Sequence, residues 1–104
     1  MDLPKKYLEF KDEFPEISKK YFEMTDQLVN HGPLDKKASR LVRLAYALGV
    51  MTEGGIQAQV RKALEDGLTQ DEIMHAMLLG IPVVGFSKTV ARYYMIKEVF
   101  DHQE

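Results

Sequence analysis

Arg40 and Arg43 stand three residues apart in LDKKASRLVRLAYALGV. On a helix that spacing makes them neighbours, and two adjacent guanidinium forks can clamp a carboxylate through bidentate hydrogen bonds. The same pair also suits a solvated face or the acids of a partner subunit. His75 lies between Met74 and Ala76 at the margin of an apolar run. An imidazole there can be tuned near neutral pH to move a proton, or can be structural. Glu53, Gln57 and Gln59 follow Thr52, where the unpaired N–H groups of a helix start, together with amide side chains, can hold an anion. Glu53 can equally satisfy that first turn by itself. Six methionines and the Tyr93-Tyr94 pair can line an adaptable apolar pocket or fill a core. His31 reads as a residue favourable to a helix C-terminus, and His102 as a tail residue.

Several chemistries are excluded by what the chain lacks. With no cysteine there is no disulfide framework, no thiolate metal site and no nucleophilic thiol. No His and acid residues recur at ligand spacing except along solvated helices, so no metal is expected. No glycine-rich phosphate loop or serine elbow suggests a cofactor or a nucleophile. The formal net charge is -2, with Lys and Arg scattered among Asp and Glu, which leaves no basic stripe for nucleic acid. No apolar run reaches the length of a bilayer span, so no membrane partner is expected. The opening MDLPKKYLEFKDEFPE lacks the apolar core of a secretory signal and the acid-poor bias of a transit peptide, and a cytoplasmic location is expected. At 104 residues, 45% of them hydrophobic and 29% charged, the chain reads as a single globular domain over residues 1–104.

The elements that must position these residues are all helical. Helix signals recur throughout and no segment alternates with period two, which predicts an all-α helical bundle of about six helices, two of them short. The first is expected over Pro4 to Lys11. The second starts at Pro15, where a missing N–H costs nothing, carries the stripe Ile17, Tyr21, Met24 and Leu28, and ends at Asn30-His31-Gly32-Pro33. Asp35 caps the third, Lys36 to about Met51. At roughly 100° per residue, Ala38, Leu41, Val42, Leu44, Ala45 and Leu48 share its apolar face, and Ser39, Arg40 and Arg43 the polar one. Thr52 caps the fourth, which carries Ile56, Val60, Ala63 and Leu64 and ends at Gly67. Gly54 and Gly55 in its first turn each cost about 0.8–1.0 kcal/mol relative to Ala.

The fifth has the strongest start signal: Thr69 and Glu72 form a capping box, and Leu68 and Ile73 a hydrophobic staple. The following Ala76 to Ile81 is apolar around the full circumference, which a peripheral helix of so small a monomer cannot bury. A subunit interface is expected there. Pro82 and Gly85 interrupt the run. Ser87 then starts a last helix with Val90, Ala91, Tyr94 and Val99 on its apolar side.

Three pieces, LDKKASRLVRLAYALGV, MTEGGIQAQVRKALEDGLTQDEI and AMLLGIPVVGF, together with the lead-in FPEISKKYFEM, resemble the carboxymuconolactone decarboxylase family, which includes alkylhydroperoxidase D. The resemblance spans Leu34 to Phe86 and rests on order and spacing: an Ala/Leu-rich helix, a short break, a helix ending in KALEDG, and a capped helix opening TQDEI. It implies an alkylhydroperoxidase D-like helical fold and assembly as a homotrimer or homohexamer.

The peroxidase members of that family carry a Glu, a Cys twelve residues on, a second Cys three further and a His four beyond that. On this chain those positions fall on Arg40, Thr52, Gly55 and Gln59, and all four depart from the pattern. Thiolate activation, proton relay and disulfide resolution all lack their groups, so neither peroxide reduction nor disulfide exchange is expected. The decarboxylase branch, as the resemblance implies, works without thiols or metal, and needs cations to hold carboxylates and an acid to protonate a carbanion. Arg40, Arg43, Arg61, Lys62 and His75 are the available groups, with His75 and Arg40 the catalytic candidates. Gln59 stands where such enzymes tend to carry His.

Two function classes follow. One is a small-molecule-binding or structural oligomer without thiol redox activity. The other is a cofactor-independent lyase, decarboxylase or isomerase acting on a small carboxylated molecule between the third, fourth and fifth helices. A bound ligand is expected to be anionic and to lie beside Thr52, Gln59, Arg40 and Arg43, with Gly54 and Gly55 permitting close backbone approach. On that reading Arg40→Ala weakens binding by about 1.5–3 kcal/mol and leaves the melting temperature of the empty protein nearly unchanged.

Overall fold

The computed structural model describes residues 5–102. Among them there are seven helices and no strand, in two compact units divided after Pro33.

The first unit holds α1 (Lys5–Glu13) and α2 (Pro15–Val29). Phe14 separates them, and Pro15 occupies the first turn of α2 as expected. Asn30 closes α2, its side-chain Nδ2 donating to Asp26 O at 2.8 Å. The helices meet through rings, Tyr7 edge-on to Phe22 at 5.7 Å between centroids. The expected stripe of Ile17, Tyr21, Met24 and Leu28 is present, and every member is exposed. Neither helix buries an apolar residue. Ser18 is the one buried residue described in them, and its Oγ has no partner among the described residues. Pro4 lies outside the described residues.

The second unit holds α3 (Lys36–Val50), α4 (Glu53–Glu65), α5 (Gln70–Leu78), the four-residue α6 (Ile81–Val84) and α7 (Phe86–Asp101). Asp35 caps α3, accepting from Ala38 N at 2.8 Å. Gly67, at φ +92°, turns the chain out of α4, a conformation a side chain would strain. The capping box of α5 forms in both directions, and Leu68 and Ile73 beside it are both buried. The core gathers Leu44 and Leu48 of α3, Ile56, Val60 and Ala63 of α4, Ile73 and Met77 of α5, and Ile96 and Val99 of α7. α4 packs on α3 and α7, and α5 packs on the same two helices.

Three sequence expectations are corrected. Arg40 is not on the polar side of α3: it is 7% exposed on the buried face with Leu44, Ala47 and Leu48, while Val42 and Ala45 face outward. Hydropathy places a charge outside, and it cannot register a buried charge that has found partners. The last helix begins at Phe86 rather than after Ser87, because Gly85, at φ +107°, ends α6 and starts α7 at one residue. The core face of α7 is Thr89, Ile96 and Val99, leaving Val90, Ala91 and Tyr94 exposed. Apolar residues lie all around this helix, so their pattern defines no single side.

Candidate functional site

Arg40 reaches from α3 across α4. Its Nε donates to Asp66 Oδ2 at 2.7 Å and its Nη1 to Gln59 Oε1 at 2.9 Å. Asp66 follows the last turn of α4, and its other oxygen lies 3.8 Å from Lys36 Nζ. Arg40 and Gln59 are therefore brought together and bonded to each other, and Arg40 is bonded as well to an acid of the same chain.

The charge around this network is unbalanced. Arg43 is half-buried, and its Nε makes only a long bond of 3.4 Å to Ser39 O. Burial, then the neighbouring Arg40 charge, lowers its pKa, while Asp66 acts the other way. Lys62 on α4 is lowered from the ordinary lysine value for the same reasons in the same order, burial first, then Arg40 and Arg43, with Glu65 opposing. Three cations thus share one neighbourhood, and the closest acid is committed to Arg40 and Lys36.

The first turn of α4 is not arranged as an anion cradle. Thr52 holds the N-cap position, exposed, and its side chain makes no capping bond. Gln57 turns to α7, its Nε2 donating to Met95 O at 3.3 Å and Glu98 Oε2 at 3.4 Å. The space beside Gly55 is taken by Met51: a Cβ on Gly55 would stand 2.5 Å from Met51 Cε. Beside Gly54 the space is open.

His75 lies elsewhere, exposed on α5 at the wall of a groove of about 500 Å³ bounded by α3, α5, α6 and α7. Leu41, Ala45 and Leu48 form one side and Ala76, Val83 and Val84 the other. Glu72, Thr89 and Arg92 are its further polar members. The four sequence-predicted Arg and Lys candidates, Arg40, Arg43, Arg61 and Lys62, are not on this wall. Arg92 is, and sequence reasoning missed it. The available signal was a lone Arg within the mainly apolar TVARYYMI. Arg92 Nε donates to Leu48 O at 3.0 Å, in the last turns of α3, which satisfies a carbonyl near a helix end and places a cation near its negative pole.

Among the described residues no group of three His, Cys, Asp or Glu side chains could hold a metal ion, and no helix is long and apolar enough to cross a membrane. The model of the carboxymuconolactone decarboxylase family matches residues 15–94, and the chain belongs to that family, whose all-α fold it has. No curated protein matches it. The chain has no cysteine, so the redox motif of the peroxidase members is absent.

Proposed function

We propose that this family member is a cytoplasmic homo-oligomer that binds a small molecule without thiol redox chemistry, and that the groove between α3, α5, α6 and α7 receives the ligand. One observation carries the reading: an apolar concavity of about 500 Å³ with a few polar groups on its wall, within the range typical of small-molecule sites. The Arg40 neighbourhood supports a ligand role less, because Arg40 already engages both Gln59 and Asp66. Arg43 and Lys62 remain there as the cations an anionic molecule would meet.

Native mass spectrometry of the purified protein, repeated on Ala45→Trp, tests the proposal. A small molecule should accompany the wild-type chain and be lost when the indole fills the groove. A ligand retained unchanged by Ala45→Trp would rule the groove out. Steady-state consumption of an organic hydroperoxide above a heat-denatured control would refute the non-redox part, since no sulfur here can cycle through thiol and oxidised states and a methionine sulfoxide is not resolved unaided.

The second reading is a cofactor-independent lyase, decarboxylase or isomerase, and His75 favours it. An exposed imidazole on the wall of an apolar groove can carry a proton to or from a bound molecule. His75→Gln would then abolish turnover while binding survives.

A further inference from the structure

We propose that the groove selects an amphipathic monocarboxylate, with its apolar body along Leu41, Ala45 and Val83 and its carboxylate on Arg92. This rests on the groove being the ligand site.

The Thr89 hydroxyl is buried and donates to Gly85 O at 2.8 Å. Glu72 has both oxygens engaged: Oε1 accepts from Thr69 N at 2.8 Å and Oε2 is in close contact with Lys37 Nζ. Those partners hold its carboxyl below the ordinary range, the Lys37 bond first and the Thr69 backbone second. Glu72 therefore stays ionised with its own counter-charge, and it neither attracts a cationic ligand strongly nor neutralises Arg92.

Arg92 is different. Its Nε bond to Leu48 O fixes the guanidinium plane. Its two terminal nitrogens have no hydrogen-bond or ion-pair partner among the described residues. Arg92 is a half-buried residue on a largely apolar wall, where a charge is better held with a counter-ion than without one. Two parallel N–H donors in a fixed plane match a planar carboxylate in bidentate geometry.

The rest of the wall sets the remaining chemistry. Among the described residues Arg92 is the one fixed cation lining the groove, so a second anionic group on the ligand would find no fixed positive charge there. A neutral apolar molecule would leave Arg92 uncompensated. His75 stands exposed at the side of the groove, where it can meet a polar substituent on the ligand's outer end.

The test compares 4-phenylbutanoate with its neutral amide by calorimetric titration at pH 7. Wild-type protein should bind the carboxylate about 10- to 100-fold more tightly, the range for a hydrogen bond to a charged group. Arg92→Gln should bring the two compounds within about 2-fold of each other by losing affinity for the acid alone. Arg92→Lys, which keeps charge but not the fork, should fall between. Should Arg92→Gln fail to fold, the wild-type ratio of acid to amide and the Arg92→Lys variant still decide the matter. Equal binding of acid and amide by the wild type would overturn this inference and leave the groove reading intact. Binding of neither compound, or equal binding by Ala45→Trp and wild type, would overturn both.

Discussion

Removing the Arg40 guanidinium would strip Asp66 of its nearest counter-charge and Gln59 Oε1 of its donor, in a place where the Arg40 side chain is only 9% exposed. Truncating one partner of a buried pair costs about 3–5 kcal/mol. Asp66 retains 20% exposure and a distant Lys36, so Arg40→Met is expected to cost about 2–3 kcal/mol, read as a lowered urea midpoint. An unchanged midpoint would show the network to be idle. From the sequence alone the same site reads as a charge free for a ligand, whose removal leaves the fold untouched. That Arg40 and Gln59 stand near each other was legible only through the family resemblance. Arg40's partner was not legible at all, because Asp66 stands 26 residues away and no local pattern links them. Lys62 supplies a prediction with a sign. Its folded pKa lies below the ordinary 10.5, so between the two values the folded chain holds fewer protons than the unfolded one, and stability rises with pH across that interval. Lys62→Met keeps the apolar stem and removes the charge. It should be more stable than wild type near pH 7 and lose that advantage as pH rises toward 10.5. Parallel stability curves for the two proteins from pH 7 to pH 10.5 would contradict the assignment.

At the scale of elements, two threonines at matching positions make a controlled comparison. Thr69 accepts from Glu72 N at 3.0 Å, and Glu72 returns a bond to Thr69 N. Thr52 holds the same position on α4 without a side-chain bond. Thr69→Ala should therefore cost about 1 kcal/mol, and Thr52→Ala no more than about a few tenths. Thermal melts of both variants check this, and equal losses would mean that the capping geometry is not what stabilises α5. Helix starts such as Pro15, Asp35 and Thr69 were legible because their chemistry lies within three residues of the start. The start of α7 was not. Gly85 at φ +107° is a joint shared by two helices, and a four-residue helix such as α6 has too little sequence to show a period. The groove was illegible for a related reason: its wall takes residues from four helices, and Arg92 acquires meaning only when α7 is packed beside the last turns of α3.

In the whole molecule, apolar side chains stay exposed on both units. Leu28 is 65% exposed on α2, and Leu78 and Leu79 are 52% and 61% exposed at the end of α5. The Ala76 to Ile81 run thus keeps its inner residue Met77 covered and leaves its outer ones to water, a distribution that favours association of copies. Light scattering is expected to give a mass that is a multiple of 12.0 kDa, reduced by Leu28→Lys or Leu78→Lys. A well-folded species at 12.0 kDa under dilute conditions would end that proposal. The first unit carries a consequence of its own, since α1 and α2 bury no apolar residue. Amide protons along a helix without an apolar anchor exchange with solvent deuterium through openings far cheaper than global unfolding. If a second copy supplies the missing anchor, mass action makes those openings rarer as the protein is concentrated. Deuterium uptake over Lys19 to Gln27 should then slow with rising concentration, while uptake over Leu44 to Leu48, inside the core, keeps one rate throughout.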